Sequence, residues 1–464
     1  MIGGGGYMSQ ERLPRFLKFS WGMGATGTTS MLYLINLFLI YFLVRHVGLS
    51  AALAGGLLAV TRVYDAVINP LIGAASDRTE SRFGRRKPWM LAGAILAPLG
   101  CIAIFNPPAA LEGNALTAYV FAALLLYLTA YSLFAIPFIA LGTELSDDYR
   151  ERASVMAYRT FFVYVSGLVI ASGAPALVAM LGKDRAAYAT MSWAAAAVVA
   201  VAMLWPVVFT GQARVVTPRN RPLPFAVWWR TAFTNLPYIL ILLSKLTLQL
   251  GTAFAGAASL FFMTYVLGRG ESALALFGSV GSVVGLATVP LWNRILQHVE
   301  RKPFFTWLLA VNFLGYLSWW LATPDEPTAL FVLRAIVMGA AGSGAVLVST
   351  AMITDAIEYD RLTTGQRREG VFLGGFELVQ TTSFVIGPLV VGFVLSGAGL
   401  VPGQVSAAEQ PPEAIAMIRN AMATIPAVTC VVGMFLLMFY RLTAQRLADL
   451  RADGADGAVT PESP

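Results

Sequence analysis

Charge is scarce in this sequence: Asp, Glu, Lys and Arg together make up 12 % of its 464 residues, roughly half the share in a soluble domain. That excludes an ordinary water-soluble fold. Cysteine is nearly absent, and Cys101 and Cys430 both sit inside apolar runs, so neither a disulfide framework nor a metal cluster is expected. The two histidines, His46 and His298, stand near expected helix ends, where a structural role is the ordinary one. There is no nucleophile–base set, no His/Cys/Glu metal spacing and no phosphate loop. An enzyme is therefore not expected, and neither is a cofactor. A receptor would carry a soluble signalling domain, and none is visible. No small-residue cleavage site follows the first apolar run, so a removable signal peptide is not expected.

What is abundant is apolar surface: 57 % of the residues are hydrophobic and the mean hydropathy is +0.69. At about 20 apolar residues per crossing, the chain divides into roughly a dozen spans. They fall near 21–44, 51–76, 88–105, 115–142, 154–181, 188–209, 236–267, 273–296, 304–322, 329–353, 370–395 and 413–440. The predicted fold is an all-α membrane protein with twelve transmembrane helices in two six-helix bundles, 21–210 and 236–443. A cytoplasmic segment (1–20), a polar cytoplasmic linker (211–235) and a disordered cytoplasmic tail (444–464) complete the division.

Basic residues orient the map. Of 32 Lys and Arg, five (Arg45, Lys183, Arg185, Arg269, Arg419) fall in one set of loops and three (Arg62, Lys245, Arg334) within spans. The rest lie on the opposite side, which the positive-inside rule makes cytoplasmic, together with both termini. The net charge of +7 is thus a mark of topology rather than of a nucleic-acid partner. A multi-pass protein of the cell membrane, the inner one in a bacterium, follows. The lipid bilayer and a small-molecule solute are its expected partners, and a monomer its expected working form.

The chain also repeats itself. Thr143-Glu144 followed by DDYR recurs as Thr354-Asp355 followed by EYDR, 211 residues later, and Asp77-Arg78 has a counterpart in Asn293-Arg294 at an offset of 216. Both matches fall at the inner ends of corresponding spans, which argues for two parallel halves, the repeat arrangement of major facilitator carriers. The third, sixth and ninth spans carry no charge and the twelfth only at its outer edge, while Arg62 and Asp65 fall in the second, Lys245 in the seventh, Arg334 in the tenth and Glu377 in the eleventh. Arg62, Asp65 and Asn69 are spaced three and four apart, so a helix projects them from one face. An ionisable group at mid-bilayer normally faces water or a partner charge. Arg334 lies close to an outer helix end and is expected to snorkel toward the membrane surface.

Several segments resemble the glycoside–pentoside–hexuronide:cation symporters, the family of the melibiose carrier. They are RVYDAVINPLIG, SDRTESRFGRRKPW, YSLFAIPFIALG, DDYRERASVMAYRTFF and ITDAIEYDRLTTGQRREG. The resemblance covers both halves and implies the major facilitator fold, alternating access and a mid-membrane cavity. It also implies a cation-coupling set in which Asp65 holds the first acidic position of the second span. Asn69 stands at the second acidic position, Ile68 at the polar one before it, and Ser132 at the assisting hydroxyl. The family's sugar-holding acids fall at Thr29 and Ala135, and its lysine of the eleventh span at Thr381.

The function expected is therefore cation-coupled transport of a sugar or sugar-like solute. A single carboxylate favours a proton over sodium as the co-transported ion, while Asn69 and Ser132 leave sodium open. An uncoupled facilitator and a carrier of an amphiphilic, lysolipid-like or other organic solute are the alternatives. Candidate substrate-binding residues are Thr29, Tyr33, Arg62, Tyr131, Arg159, Lys245, Gln249, Glu377, Gln380 and Thr381. Lys245 and Glu377 are a possible ion pair in the second half. A cytoplasmic gate of ion pairs is expected from Asp77, Arg78, Arg85, Glu144 and Arg152 in the first half, with Asp355, Arg361 and Arg368 in the second.

Overall fold

Apolar runs of this length leave the backbone no hydrogen-bond partner except itself, which selects helices. In the computed structural model, residues 13–146, 149–210, 235–364, 369–403, 406–443 and 445–450 are described, and no strand occurs among them. Twelve long helices follow in chain order among these residues. They are α1 (Arg15–Arg45), α2 (Ala51–Arg78), α3 (Lys87–Phe105), α4 (Gly113–Glu144), α5 (Tyr149–Ser166 continuing to Met180) and α6 (Arg185–Phe209). The second set comprises α7 (Leu236–Val266), α8 (Gly270–Ile295), α9 (Arg301–Leu317), α10 (Thr328–Thr364), α11 (Glu369–Gly397) and α12 (Pro412–Met438). Ten are long and apolar enough to cross a bilayer, while α2 and α11 contribute the shorter apolar stretches Ala51–Thr61 and Ile386–Gly397. The linker expected at 211–235 lies outside the described residues except for Asn235.

Helix ends differ from the hydropathy map for identifiable reasons. The first helix starts at Arg15 rather than near 21, because Lys18 is buried and bonded to Glu151 at 2.8 Å and Ser154 at 3.0 Å. The tenth runs to Thr364, well past 353, since hydropathy marks the bilayer and not the end of the helix. The twelfth is interrupted at Ala423, between Pro412–Met422 and Thr424–Met438. Pro426 has no N–H to offer the carbonyl four residues earlier, which breaks the ladder there. Residues 445–450, placed by the sequence in a disordered tail, are helical, while 444 and 451–464 lie outside the described residues.

The chain forms two compact units. The first comprises Met1–Leu32, Thr61–Ile170 and Tyr188–Arg221. The first half of α1 runs through its centre, and small residues let the neighbours close on it. A Cβ on Gly24 would lie 2.6 Å from the Phe138 ring, and one on Gly27 would lie 2.5 Å from Met203. Trp21 stacks on Phe138 at 4.8 Å and donates its indole N–H to the Phe138 carbonyl. Helices α3 and α4 approach so tightly that a Cβ on Gly93 would stand 2.6 Å from the Phe134 amide nitrogen.

The second unit comprises Tyr33–Val60, Ala171–Ala187 and Pro222–Pro464. It takes in the later part of α1, the first part of α2 and the end of α5, besides α7 to α12. Its core is apolar, with Ile241, Leu308, Leu309, Val348, Met352 and Leu437 buried together. Arg334 does not reach for the membrane surface. It is buried, pairs with Glu326 at 2.5 Å, and lies 5.0 Å from the Trp319 ring centroid. A carboxylate within reach makes burial cheaper than stretching to the interface. Just beyond α1, burial pushes the His46 imidazole down to about 4, the neighbouring Arg45 adds to the effect, Asp184 opposes it and Arg185 reinforces it.

Two outcomes follow. Gly93→Val should destabilise the fold by ~1–3 kcal/mol through overpacking, read as a lower thermal-unfolding midpoint in detergent. Gly56→Ala, with nothing within 4 Å of its Cβ position, should not lower it. His46 is neutral in the fold and titrates near 6.5 when unfolded, so only the unfolded chain takes up its proton between those values. Stability should therefore fall as pH drops from about 6.5 toward about 4, and this loss should be smaller in His46→Gln.

Candidate functional site

Asp65 stands in the middle of α2, with 14 residues of the helix before it and 13 after. Helix α4 runs beside it in the same direction. The Tyr64 hydroxyl meets Thr129, and a Cβ on Gly73 would touch Ile136 at 3.8 Å. These two contacts bracket positions 69 and 132 along the pair of helices. The Thr129 hydroxyl donates to the Leu125 carbonyl at 2.6 Å, so Tyr64 is the donor to Thr129. That chain fixes the register of α2 on α4.

Within this bracket the Oδ1 atoms of Asp65 and Asn69 and the Oγ of Ser132 are all sealed from solvent. The Asn69 Oδ1 and the Ser132 Oγ have no hydrogen-bond partner among the described residues. A buried oxygen without a donor costs about 1–3 kcal/mol, and such groups in native proteins call for an explanation, an ion or water among them. Asp65 and Asn69 lie four apart on one helical face. One carboxylate, one amide oxygen and one hydroxyl are hard oxygen donors of the kind that suits a small cation. The donor set thus suits a small hard cation, whereas the sequence favoured a proton, which needs the carboxylate alone.

The substrate candidates divide between the units. Thr29, Tyr131 and Arg159, all half-buried, belong to the first. Tyr33, Lys245 and Gln249 belong to the second. The Lys245 ammonium is buried, with the Ser349 hydroxyl at 3.3 Å and the Phe376 ring centroid at 4.6 Å, a cation–π contact. The side chains of Arg62, Glu377, Gln380 and Thr381 lie outside the described residues, and so does the question of a Lys245–Glu377 pair.

The expected gate acids are built around an arginine that sequence reasoning passed over. Arg86 donates to Glu144 at 2.9 Å and to Ser76 at 2.8 Å, and it pairs with Asp77. Arg85 reaches the same Glu144 oxygen at 3.0 Å. In the second unit Asp355 pairs with Arg301, and Arg361 lies 3.9 Å from Glu358. Arg78 is exposed, and the side chains of Arg152 and Arg368 lie outside the described residues. Arg86-Lys87-Pro88 recurs as Arg301-Lys302-Pro303, 215 residues later. This repeat was the available signal. Its lysines act alike too: Lys87 donates to the Val207 carbonyl at the end of α6, and Lys302 to the Tyr440 carbonyl just past α12.

Residues 20–444 match the family described as MFS/sugar transport protein. The chain is similar to a putative glycoside/cation symporter of Escherichia coli (strain K12), with 26 % identity over 96 % of this chain and 97 % of that one. It is 23 % identical to an isoprimeverose transporter of Lactiplantibacillus pentosus, over 95 % of this chain and 92 % of the other. Among solved structures, a D-xylose-proton symporter aligns with a TM-score of 0.64 at 13 % identity, covering 92 % of this chain and 97 % of that one. That likeness bears on the fold, which is the major facilitator fold.

Removing Arg86 leaves Glu144 buried without its main partner, so Arg86→Ala should cost about 3–5 kcal/mol. Glu144→Gln in the same chain should restore much of it. Arg301, 39 % exposed in its side chain, should cost only about 0–1 kcal/mol when replaced by Ala. Equal losses in thermal-unfolding midpoint for the two arginine variants would contradict this ordering.

Proposed function

The chain belongs to the MFS/sugar transport protein family and is a secondary transporter rather than an enzyme; from that premise we propose that it carries a sugar or glycoside by alternating access, coupled to an alkali cation held by Asp65, Asn69 and Ser132. The observation that carries this reading is the pair of buried oxygens on Asn69 and Ser132 that have no hydrogen-bond partner among the described residues, on the stretches of α2 and α4 bracketed by the Tyr64–Thr129 and Gly73–Ile136 contacts. A proton needs only the carboxylate and would leave both unused. A sodium ion would use all three. The sequence alone favoured the proton, and the geometry of the neutral oxygens moves the proposal to sodium.

A glycoside suits the polar candidates of both units, and relatives are named for a glycoside, isoprimeverose and raffinose. On this reading Thr29, Tyr131 and Arg159 in the first unit, with Tyr33, Lys245 and Gln249 in the second, contact the solute. Arg62, Glu377, Gln380 and Thr381 are assigned with them from the sequence. The ion pairs of Asp77, Arg85, Arg86 and Glu144, and of Arg301 and Asp355, act at the cytoplasmic side, where Arg78, Arg152, Arg361 and Arg368 join them. Both termini are placed in the cytoplasm, in the inner membrane of a bacterium, and the working unit is a monomer.

Counterflow in proteoliposomes tests this with labelled raffinose, isoprimeverose and a phenyl glucuronide as probes, across sodium and pH series. Asn69→Ala and Ser132→Ala should each raise the sodium concentration for half-maximal stimulation by about tenfold, as for loss of one charge-assisted contact. Asp65→Asn should abolish gradient-driven accumulation while sparing exchange. Stimulation by acid pH alone, unaltered in Asn69→Ala and Ser132→Ala, would return the coupling to a proton. Accumulation in Asp65→Asn equal to the parent would remove Asp65 from the mechanism and leave an uncoupled facilitator. Flux of a lysolipid with none of the sugars would favour the amphiphile carrier.

A further inference from the structure

Asp65 follows a tyrosine that ties α2 to α4. Tyr64 is half-buried, and its hydroxyl meets that of Thr129. Thr129 has already committed its own proton to the Leu125 carbonyl four residues back, at 2.6 Å. A threonine bonded in this way has its rotamer fixed by its own helix, so its oxygen is a pre-aimed acceptor for the Tyr64 hydroxyl. Farther along both helices a proline follows the candidate cation ligands: Pro70 directly after Asn69 in α2, and Pro137 five residues after Ser132 in α4. Neither has an N–H to offer the carbonyl four residues earlier, which softens each helix there.

Tyr64 is one residue from Asp65 and Thr129 is three from Ser132, so this bond joins the two backbone segments that carry the candidate oxygens. Asp65 and Asn69 share α2, and the pitch of the helix keeps their spacing. The Ser132 hydroxyl belongs to the other helix, and its separation from them depends on how α2 lies on α4. Ile136 stands 3.8 Å from the Cβ position of Gly73, apolar packing that tolerates sliding. A hydrogen bond does not, because it weakens steeply once its angle or length departs from the optimum. Discrimination between small hard cations rests on the size of the cavity and the rigidity of the oxygens around it. A site whose one wall slides against the other loses that discrimination first.

Resting on the cation-coupled reading above, we propose that Tyr64 and Thr129 are positioning residues of the cation site. Their hydrogen bond sets the separation between the α2 oxygens of Asp65 and Asn69 and the α4 hydroxyl of Ser132, and with it the alkali ion that the site prefers. Neither residue touches the ion. A purely structural bond makes a different claim: its loss would lower the stability of the ion-free protein and leave the choice between ions as it was.

The test uses the purified full chain in detergent, titrated with sodium or lithium chloride against a choline chloride control. An ion that binds only the folded protein raises the thermal-unfolding midpoint by mass action, so the half-saturating concentration is read without any transport assay. The parent should bind the two ions with different half-saturating concentrations. Tyr64→Phe and Thr129→Val should each raise the sodium value about fivefold, the loss of one neutral hydrogen bond, and bring the sodium and lithium values closer together. Thr129→Ser keeps the hydroxyl and should match the parent. The Tyr64→Phe/Thr129→Val pair should bind sodium no more weakly than Tyr64→Phe alone, a non-additivity that reports direct contact. If Thr129→Val fails to fold, Tyr64→Phe, which loses a single oxygen, decides the matter. A parent that responds to both ions, with a Tyr64→Phe variant that matches it in both, overturns this inference alone. Equal weakening of sodium and lithium in that variant, or a parent that takes both ions alike, overturns it too. A parent that responds to neither ion overturns the cation reading itself, and the inference falls with it.

Discussion

A charge carried into a low-dielectric slab has to find a partner there, and this constraint arranges the helices of the chain. Each buried ion pair joins two segments and so fixes their register. Arg86 alone links the end of α2, through Ser76 and Asp77, to the end of α4, through Glu144. Lys18 links α1 to α5 through Glu151, and Arg334 holds Glu326 in the turn before α10. Against this background the Asn69 and Ser132 oxygens break the rule that buried polar atoms are satisfied. Other buried polar atoms among the described residues share this condition, Ser172 Oγ and Trp319 Nε1 among them, and what sets the Asn69 oxygen apart is its place one helical turn from the Asp65 carboxylate.

The same device appears twice at different depths. Arg86 and Glu144 in the first half correspond to Arg301 and Asp355 in the second, and Lys87 and Lys302 each reach a carbonyl at the end of the last helix of their half. A cation at a helix C-terminus also answers the negative end of its dipole. What differs is exposure: the first pair is 10 % and 2 % exposed, the second 39 % and 18 %. The repeat preserved the bonds and let their energetic weight diverge.

Packing in the molecule is of two kinds. Around Ile241, Leu308, Val348 and Met352, branched side chains interlock, and relative movement would open cavities. At Gly278 and Gly392 backbone meets backbone across a narrow seam, and at Gly256 the Asn36 side chain fills the space of the missing Cβ. The first kind makes rigid bodies. The π-helical segments Leu34–Leu39 of α1 and Gly167–Ser172 of α5 lie at or next to boundaries between the two units, whereas α2 crosses such a boundary between Val60 and Thr61 as a regular α-helix.

Much of this was present in the sequence. Sparse charge and long apolar runs determined the membrane class, and the twelve spans each emerged as a helix. The three-and-four spacing put Asp65 and Asn69 on one face, and the repeated acids marked Glu144 and Asp355. Other features could not be read there. Five basic residues crowd positions 78 to 87, and nothing local distinguishes Arg86 from Arg82. Packing against Ser76 and Glu144 makes that choice. Arg334 was assigned to the interface because its buried acid, Glu326, lies across a turn that hydropathy treats as loop. The π turns and the contact of Asn36 with Gly256 left no local trace either. Hydropathy and periodicity are sums over neighbours in the chain, so the sequence determined which segments are helical and which faces are polar. Which charge meets which, and where two backbones touch, depends on distances between residues hundreds of positions apart, and only the tertiary structure decided those.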